Sequence, residues 1–245
     1  MNFLIELLFP RRCPVCDSPV DKMGRYVCKK CRAELKYVED SYCMKCGKSL
    51  KTADDEFCGD CKDASHIFDR GRALYEYETV KEAVYRFKYQ GRREYAQFWG
   101  MELARVLGEE ILSWRADAII PVPLHKTREK QRGYNQAALI ARELGKRLNI
   151  PVEEEFVGRI RQTLPQKNLK GKERQNNLKN AFKIRKNDVK LNTVIVVDDI
   201  YTTGTTMDEI AGCLKRAGIR EIDTCIMTLL VVRSVRICGP FITLV

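Results

Sequence analysis

Short apolar runs alternate with longer helical stretches along most of the chain, and the rhythm breaks only near its start. The sharpest run is Val194-Ile195-Val196-Val197, four β-branched residues in succession. Such a run reads as a strand buried on both faces of a parallel sheet. A hydroxyl-rich turn follows, and then Met207 to Ala217 runs as a helix that Gly218 stops. The expected strands are Arg72–Tyr77, Ala118–Pro123, Phe156–Ile160, Thr193–Asp198 and Ile222–Leu230. They describe a five-stranded, mainly parallel α/β sheet with helices on both faces. Tyr85, Phe87, Tyr89, Phe98 and Trp99 fall at helical spacings and read first as core. Phe3, Leu4, Leu7 and Leu8 suit a short amphipathic helix packed on the body.

Cysteines explain the break in rhythm. Eight of the eleven lie between Cys13 and Cys61, as four Cys-x-x-Cys pairs: Cys13/Cys16, Cys28/Cys31, Cys43/Cys46 and Cys58/Cys61. Each pair begins fifteen residues after the previous one, an internal repeat with one knuckle turn per unit. A two-residue gap lets both sulfurs face one metal, and two such turns complete a tetrahedral S4 shell. Neighbouring pairs are expected to share a zinc ion, which gives two sites; interleaved pairing, first with third and second with fourth, is the rival arrangement. Iron–sulfur ligation uses the same spacing and disulfides the same residues. With four thiolates per ion no coordination position is left for water, so the zinc is structural. A module over residues 1–68 and an α/β domain over 69–245 follow. Cys213, Cys225 and Cys238 sit in apolar surroundings and read as core.

Charge separates the same two parts. The 245 residues carry a formal net charge of +11, yet residues 1–68 hold 12 basic against 11 acidic side chains. The excess therefore belongs to the second part, where Arg159–Lys190 carries 11 basic residues and only Glu173 and Asp188 as acids. Such a surface suits a phosphate-bearing partner. The apolar run Met1–Pro10 is too short to span a membrane, and Arg11 and Arg12 follow it instead of preceding it. No membrane span and a cytoplasmic address are expected.

The candidate chemistry sits after the sharpest strand, in Asp198-Asp199-Ile200-Tyr201-Thr202-Thr203-Gly204-Thr205-Thr206. At the carboxyl end of a strand, backbone N–H groups and threonine hydroxyls converge where a helix N-terminus favours an anion. Gly204 lets the backbone close around a phosphate. Two adjacent carboxylates can accept hydrogen bonds from a pair of vicinal hydroxyls. A phosphate beside a diol describes a ribose 5-phosphate.

The thirteen residues from Val194 to Thr206 resemble the PRPP-binding motif of type I phosphoribosyltransferases. The resemblance implies a Rossmann-like fold, Asp198 and Asp199 on the ribose hydroxyls, and Thr202, Thr203, Gly204, Thr205 and Thr206 around the 5-phosphate. It also implies a diphosphate held with magnesium by the loop after Ala118–Pro123, where Lys126, Arg128 and Arg132 stand, with a helix from near Tyr134 closing the unit. A wider series resembles the ComF family of late-competence proteins: the four cysteine pairs, Phe87-Lys88-Tyr89-x-Gly91, Pro121-Val122-Pro123-Leu124, Arg132-Gly133-Tyr134-Asn135-Gln136-Ala137, and the block with Gln162, Thr163, Gln166, Arg174 and Asn177. The ending, Arg233 to Val245, runs past the last strand that likeness accounts for.

Two functions follow. The family likeness implies a natural-transformation protein that handles incoming single-stranded DNA, with PRPP and magnesium in its second domain and uptake-machinery proteins as further partners. Lys88, Arg132, Lys167, Lys170, Lys172 and Arg174 are its candidate DNA contacts, with aromatics nearby for stacking. The alternative is an active phosphoribosyltransferase acting on an unidentified acceptor. The zinc module would touch nucleic acid or protein, or brace its neighbour.

Overall fold

The computed structural model describes residues 10–20, 26–38, 40–50, 52, 54–161, 180–185 and 190–229. The expected helix over Phe3–Leu8, the candidates Lys167, Lys170, Lys172 and Arg174, Gln162 to Asn177, Cys238 and the closing stretch lie outside these residues.

In the amino-terminal module two short helices, α1 (Lys29–Glu34) and α2 (Gly59–Asp63), begin directly after Cys28 and Cys58. The other two cysteine pairs sit in tight turns closed by Arg12↔Pro19 and Tyr42↔Ser49 bridges. Cys13 N–H donates to Ser18 C=O and Cys43 N–H to Lys48 C=O, both at 2.8 Å. Asp17 and Gly47 fill the same left-handed position at φ 63° and 71°. The cysteines recur every fifteen residues, but the structural unit is therefore thirty: a hairpin knuckle, then a helical one. Each fifteen-residue unit does carry one knuckle, and the two forms alternate.

The second part begins with β1 (Arg70–Glu76), followed by helices α3 (Tyr77–Tyr89) and α4 (Tyr95–Ser113). Next come β2 (Ala118–Pro121), α5 (Lys126–Arg132) and α6 (Gln136–Leu148), then a short pair, β3 (Val157–Arg159) and β4 (Phe182–Ile184). The last elements are β5 (Thr193–Tyr201), α7 (Thr205–Arg216) and β6 (Glu221–Leu229). Four strands form one parallel sheet in the order β1-β6-β5-β2. Alternation along β5 decides its faces. Ile195 and Val197 join a core with α3, α4 and α6, whereas Val194 and Val196 join one with α7.

The fifth strand departs from expectation. The Phe156–Ile160 run does not enter the main sheet; its centre pairs antiparallel with β4. Among the described residues the edge beyond β2 is met by a bridge at Val152, with Ile119 N–H donating to Pro151 C=O at 2.8 Å and Glu153 N–H to Ile119 C=O at 2.9 Å. With only three paired residues, a glycine and an arginine among them, β3 is too short for a central strand of the main sheet, although all three are buried.

The cysteine module closes the opposite edge. Val38 N–H donates to Leu74 C=O at 3.0 Å and Glu76 N–H to Lys36 C=O at 3.1 Å, so the segment between the two ribbons covers β1. Gly47 makes the approach close: a Cβ there would lie 2.6 Å from the backbone of Arg72 and Ala73. Behind this seam the fully buried Glu102 of α4 accepts hydrogen bonds from Arg32 (2.7 Å) and Tyr37 (2.6 Å) of the module, Tyr75 (3.1 Å) of β1 and Arg105 (3.1 Å). Burial alone would raise its pKa, but the bonds from Arg105, Arg32 and Tyr37 prevail and bring it down to about 2. A depressed carboxyl contributes stability above its unfolded pKa, and that contribution fades as pH falls from about 4.5 toward 2. Glu102→Ala is expected to cost about 3 kcal/mol in urea unfolding at pH 7 and to flatten the acid limb of the stability curve; a cost below about 0.5 kcal/mol would mean that the network is dispensable.

Candidate functional site

The eight early cysteines form two separate groups, Cys13/Cys16/Cys28/Cys31 and Cys43/Cys46/Cys58/Cys61, with all four sulfurs of each within 4.8 Å of one another. Neighbouring pairs thus come together, and the interleaved arrangement is excluded. Cys16 Sγ and Cys28 Sγ are 3.8 Å apart, and Cys46 Sγ and Cys58 Sγ 3.7 Å. Zinc–thiolate bonds of about 2.3 Å in a tetrahedron separate neighbouring sulfurs by about 3.8 Å, so the donor set fits zinc. The first group packs with the α3/α4 core and the second with the α7 core.

A cavity of about 820 Å³ opens at the carboxyl ends of the strands, where α/β sheets characteristically take ligands. Tyr77 after β1, Val122 and Leu124 after β2, Asp198 to Tyr201 at the end of β5, and Thr202, Gly204, Thr206 and Met207 beyond it contribute to it. The acidic pair stands at its floor. Asp199 is held by Lys88 Nζ at 2.9 Å, and its own N–H donates to Asp198 Oδ1 at 2.8 Å. Burial first, and then the adjoining Asp199 charge, push Asp198 up to about 8, with Lys88 opposing. Of the threonine loop, Thr202, Gly204 and Thr206 face the cavity, while Thr203 and Thr205 join hydroxyls at 2.9 Å away from its lining. Gly204 takes φ 77° at the N-cap of α7, a position open to glycine.

Cations line the other side. Arg128 and Arg132 project from α5 and Arg159 from β3. Burial, and then Arg128, lower the Arg159 pKa to about 10, with Asp198 opposing; burial and Arg132 likewise lower Arg128. Charge crowded together and withdrawn from water is where an anion gains most. Lys126, by contrast, is the exposed first residue of α5 and does not line the cavity.

Local sequence explains the arrangement. Gly133, at φ 79°, ends α5, and Asn135 starts α6 by accepting from Ala137 N–H at 3.1 Å while donating to Val122 C=O at 3.0 Å. Gln136 accepts from Arg132 Nη1 at 2.8 Å and so orients that guanidinium. In the Phe87-Lys88-Tyr89 segment of α3, Phe87 is fully buried, Lys88 turns inward to Asp199, and Tyr89 stays open. Phe98 and Trp99 are core, whereas Tyr85 and Tyr89, 53% and 58% exposed, pair at 5.2 Å between ring centroids on the cavity rim. The Arg132 guanidinium lies 5.1 Å over the Tyr89 ring. Arg159 joins the site although no sequence motif marks it. A cation inside the apolar run Phe156–Ile160 was the available signal, since a buried charge in a strand needs a partner.

Comparison with known proteins agrees with this assembly. A double zinc ribbon domain matches residues 4–62, and a phosphoribosyl transferase domain matches residues 130–229. The class is therefore a double zinc ribbon seated on a phosphoribosyltransferase-type α/β fold. Competence protein F of Haemophilus influenzae is 39% identical over 155 residues, covering 59% of this chain and 66% of that protein. The DNA utilization protein YhgH of Escherichia coli is 35% identical over 146 residues, covering 57% and 62% respectively. Competence protein ComFC of Bacillus subtilis is 27% identical over 207 residues, covering 84% and 72%. The chain belongs to the ComF family. The aligned stretch spans somewhat under two thirds of the first two relatives. Among the described residues no helix is long and apolar enough to cross a membrane.

Zinc analysis of the purified chain is expected to find two ions, and Cys28→Ser to lose one while the second group keeps its own. A variant retaining both ions, or losing both, would contradict two independent tetrahedral sites.

Proposed function

We propose that this chain is a competence-type protein for natural transformation that binds PRPP with magnesium and handles incoming single-stranded DNA. The observation that carries the proposal is the meeting, in one cavity, of the Asp198/Asp199 pair, Thr202, Gly204 and Thr206 of the loop, and the arginines Arg128, Arg132 and Arg159. In this reading the loop takes the 5-phosphate through its N–H groups at the start of α7, and Asp198 and Asp199 accept from the ribose hydroxyls. Lys88 yields part of its hold on Asp199 to the sugar, and so belongs to this site more than to a DNA surface. Arg128 and Arg159, with Lys126 nearer the surface, neutralise the diphosphate; magnesium supplies further neutralisation of that leaving group. The names of the competence and DNA-utilization relatives support the biological role. Residues 1–68 act as a zinc-stabilised module joined to the 69–245 domain, with uptake-machinery proteins as candidate partners.

Single-stranded DNA fits the rim. The Tyr85/Tyr89 pair offers exposed aromatic faces beside Arg132, and stacking is worth about 1–3 kcal/mol per base. The same opening supports a second reading, transfer of phosphoribose to an acceptor resting on these rings. There the protein would align the acceptor nitrogen with the anomeric carbon and stabilise the departing pyrophosphate. Release of pyrophosphate in the presence of a cell metabolite separates this reading from ligand binding alone.

Calorimetric titration with magnesium PRPP tests the site. Binding is expected for the wild type and a loss of at least about 100-fold for Asp198→Asn/Asp199→Asn, with the fold intact. Affinity should rise with pH up to about 8, because the sugar requires the ionised form of Asp198, and level off above it. Equal binding by wild type and variant would remove the acidic pair from the site. For DNA, Tyr85→Ala/Tyr89→Ala is expected to weaken a single-stranded oligodeoxythymidylate at least about tenfold, and wild-type affinity to fall steeply with salt. An unchanged affinity would clear the ring pair of any stacking role.

A further inference from the structure

The threonine loop has a second side, where His66 from outside the α/β domain meets Tyr201 and Asp208 from within it. A Cβ on Gly204 would meet Tyr201 Oη at 2.5 Å, His66 Cε1 at 2.6 Å and His66 Nδ1 at 3.0 Å. One glycine backbone therefore separates His66 from the cavity. The imidazole is almost wholly enclosed, with 5% of its side chain exposed. Its Nδ1 lies 2.8 Å from Asp208 Oδ2, and the next residue, Ile67, donates its N–H to Asp208 Oδ1 at 2.8 Å. A carboxylate only accepts, so Nδ1 carries the shared proton and Nε2 is left facing the Tyr201 hydroxyl at 3.4 Å. The ring stacks on Phe68 at 4.9 Å, Phe68 meets Tyr201 edge-on at 6.4 Å, and Lys45 of the Cys43–Cys46 knuckle lies 5.5 Å over Phe68. A continuous set of contacts thus runs from the second cysteine group to the loop.

Asp208 makes the arrangement functional rather than merely adhesive. It sits in the first turn of α7, the same helix end that a phosphate would approach. A free carboxylate there would compete with an incoming anion for that positive end. The pair of bonds from His66 and Ile67 turns it backward and occupies both oxygens. We propose that His66 and Asp208 are positioning residues that shape the phosphate loop from behind and keep a competing carboxylate out of it, tying phosphate binding to the zinc module. The proposal rests on the sugar-phosphate reading of the cavity.

Ribose 5-phosphate and, separately, magnesium pyrophosphate are titrated by calorimetry into the full zinc-loaded chain and its variants. His66→Ala is expected to weaken ribose 5-phosphate about tenfold, the loss of one hydrogen bond to a charged group, and to leave pyrophosphate unchanged. His66→Asn, whose amide N–H can stand where the Nδ1–H stands, should restore most of the affinity. His66→Ala/Asp208→Asn should recover part of it, because the competing charge is gone. A structural role alone would lower thermal stability and weaken both ligands in parallel, with no rescue by removing a charge; that pattern overturns the proposal. So does unchanged ribose 5-phosphate binding by His66→Ala beside a binding wild type. A wild type that takes neither ligand would instead bring down the reading of the cavity itself.

Discussion

A parallel sheet must bury both faces, and most of this molecule follows from how that requirement is met. With α3, α4 and α6 on one face and α7 on the other, polar chemistry is confined to the strand ends and edges. The carboxyl ends gather the ligand-type side chains, since each strand there hands over to a loop whose N–H groups are free to point at an anion. The edges are a separate problem. β1 would present an open ladder, and the cysteine module lies along it, with the Tyr37↔Tyr75 bridge and the Glu102 cluster fastening the seam. The zinc module therefore completes the second part as well as standing beside it. Its two halves pack into the cores on opposite faces of the sheet.

Electrostatics at the strand ends has the same logic of forced partnership. Two consecutive carboxylates at the end of a buried run would be costly alone. Lys88 offsets one of them, and Asp198 is left with its acidity weakened by burial and by Asp199. Across the cavity Arg128, Arg132 and Arg159 crowd positive charge. A ligand with a diol at one end and phosphates around it relieves both halves at once, a stronger argument for its chemistry than any single residue.

What could be read from the sequence followed strict local rules. Val194–Val197 and the turn after it are dictated by a buried strand and by the geometry of a helix start, and both appear in place. The cysteine spacing led to the neighbouring sulfur groups, although the alternation of knuckle types was hidden because both use the same two-residue gap. Phe156–Ile160 misled because apolarity over a few residues does not say which sheet a strand joins. The five aromatics could not be sorted, since helical periodicity leaves the direction of each face to tertiary packing: three went into the core and Tyr85 and Tyr89 to the rim. His66, Tyr201 and Asp208 come together from positions up to 142 residues apart, a contact that no local pattern encodes.

Crystals soaked with ribose 5-phosphate and magnesium would test the central claim, that the strand-end cavity is a sugar-phosphate site, most directly. The account predicts density for the phosphate against the N–H groups of Thr202 to Thr206, with the sugar hydroxyls on Asp198 and Asp199 and the Lys88 ammonium drawn away from Asp199. A sugar phosphate bound elsewhere on the molecule, with this cavity empty at saturating ligand, would contradict it.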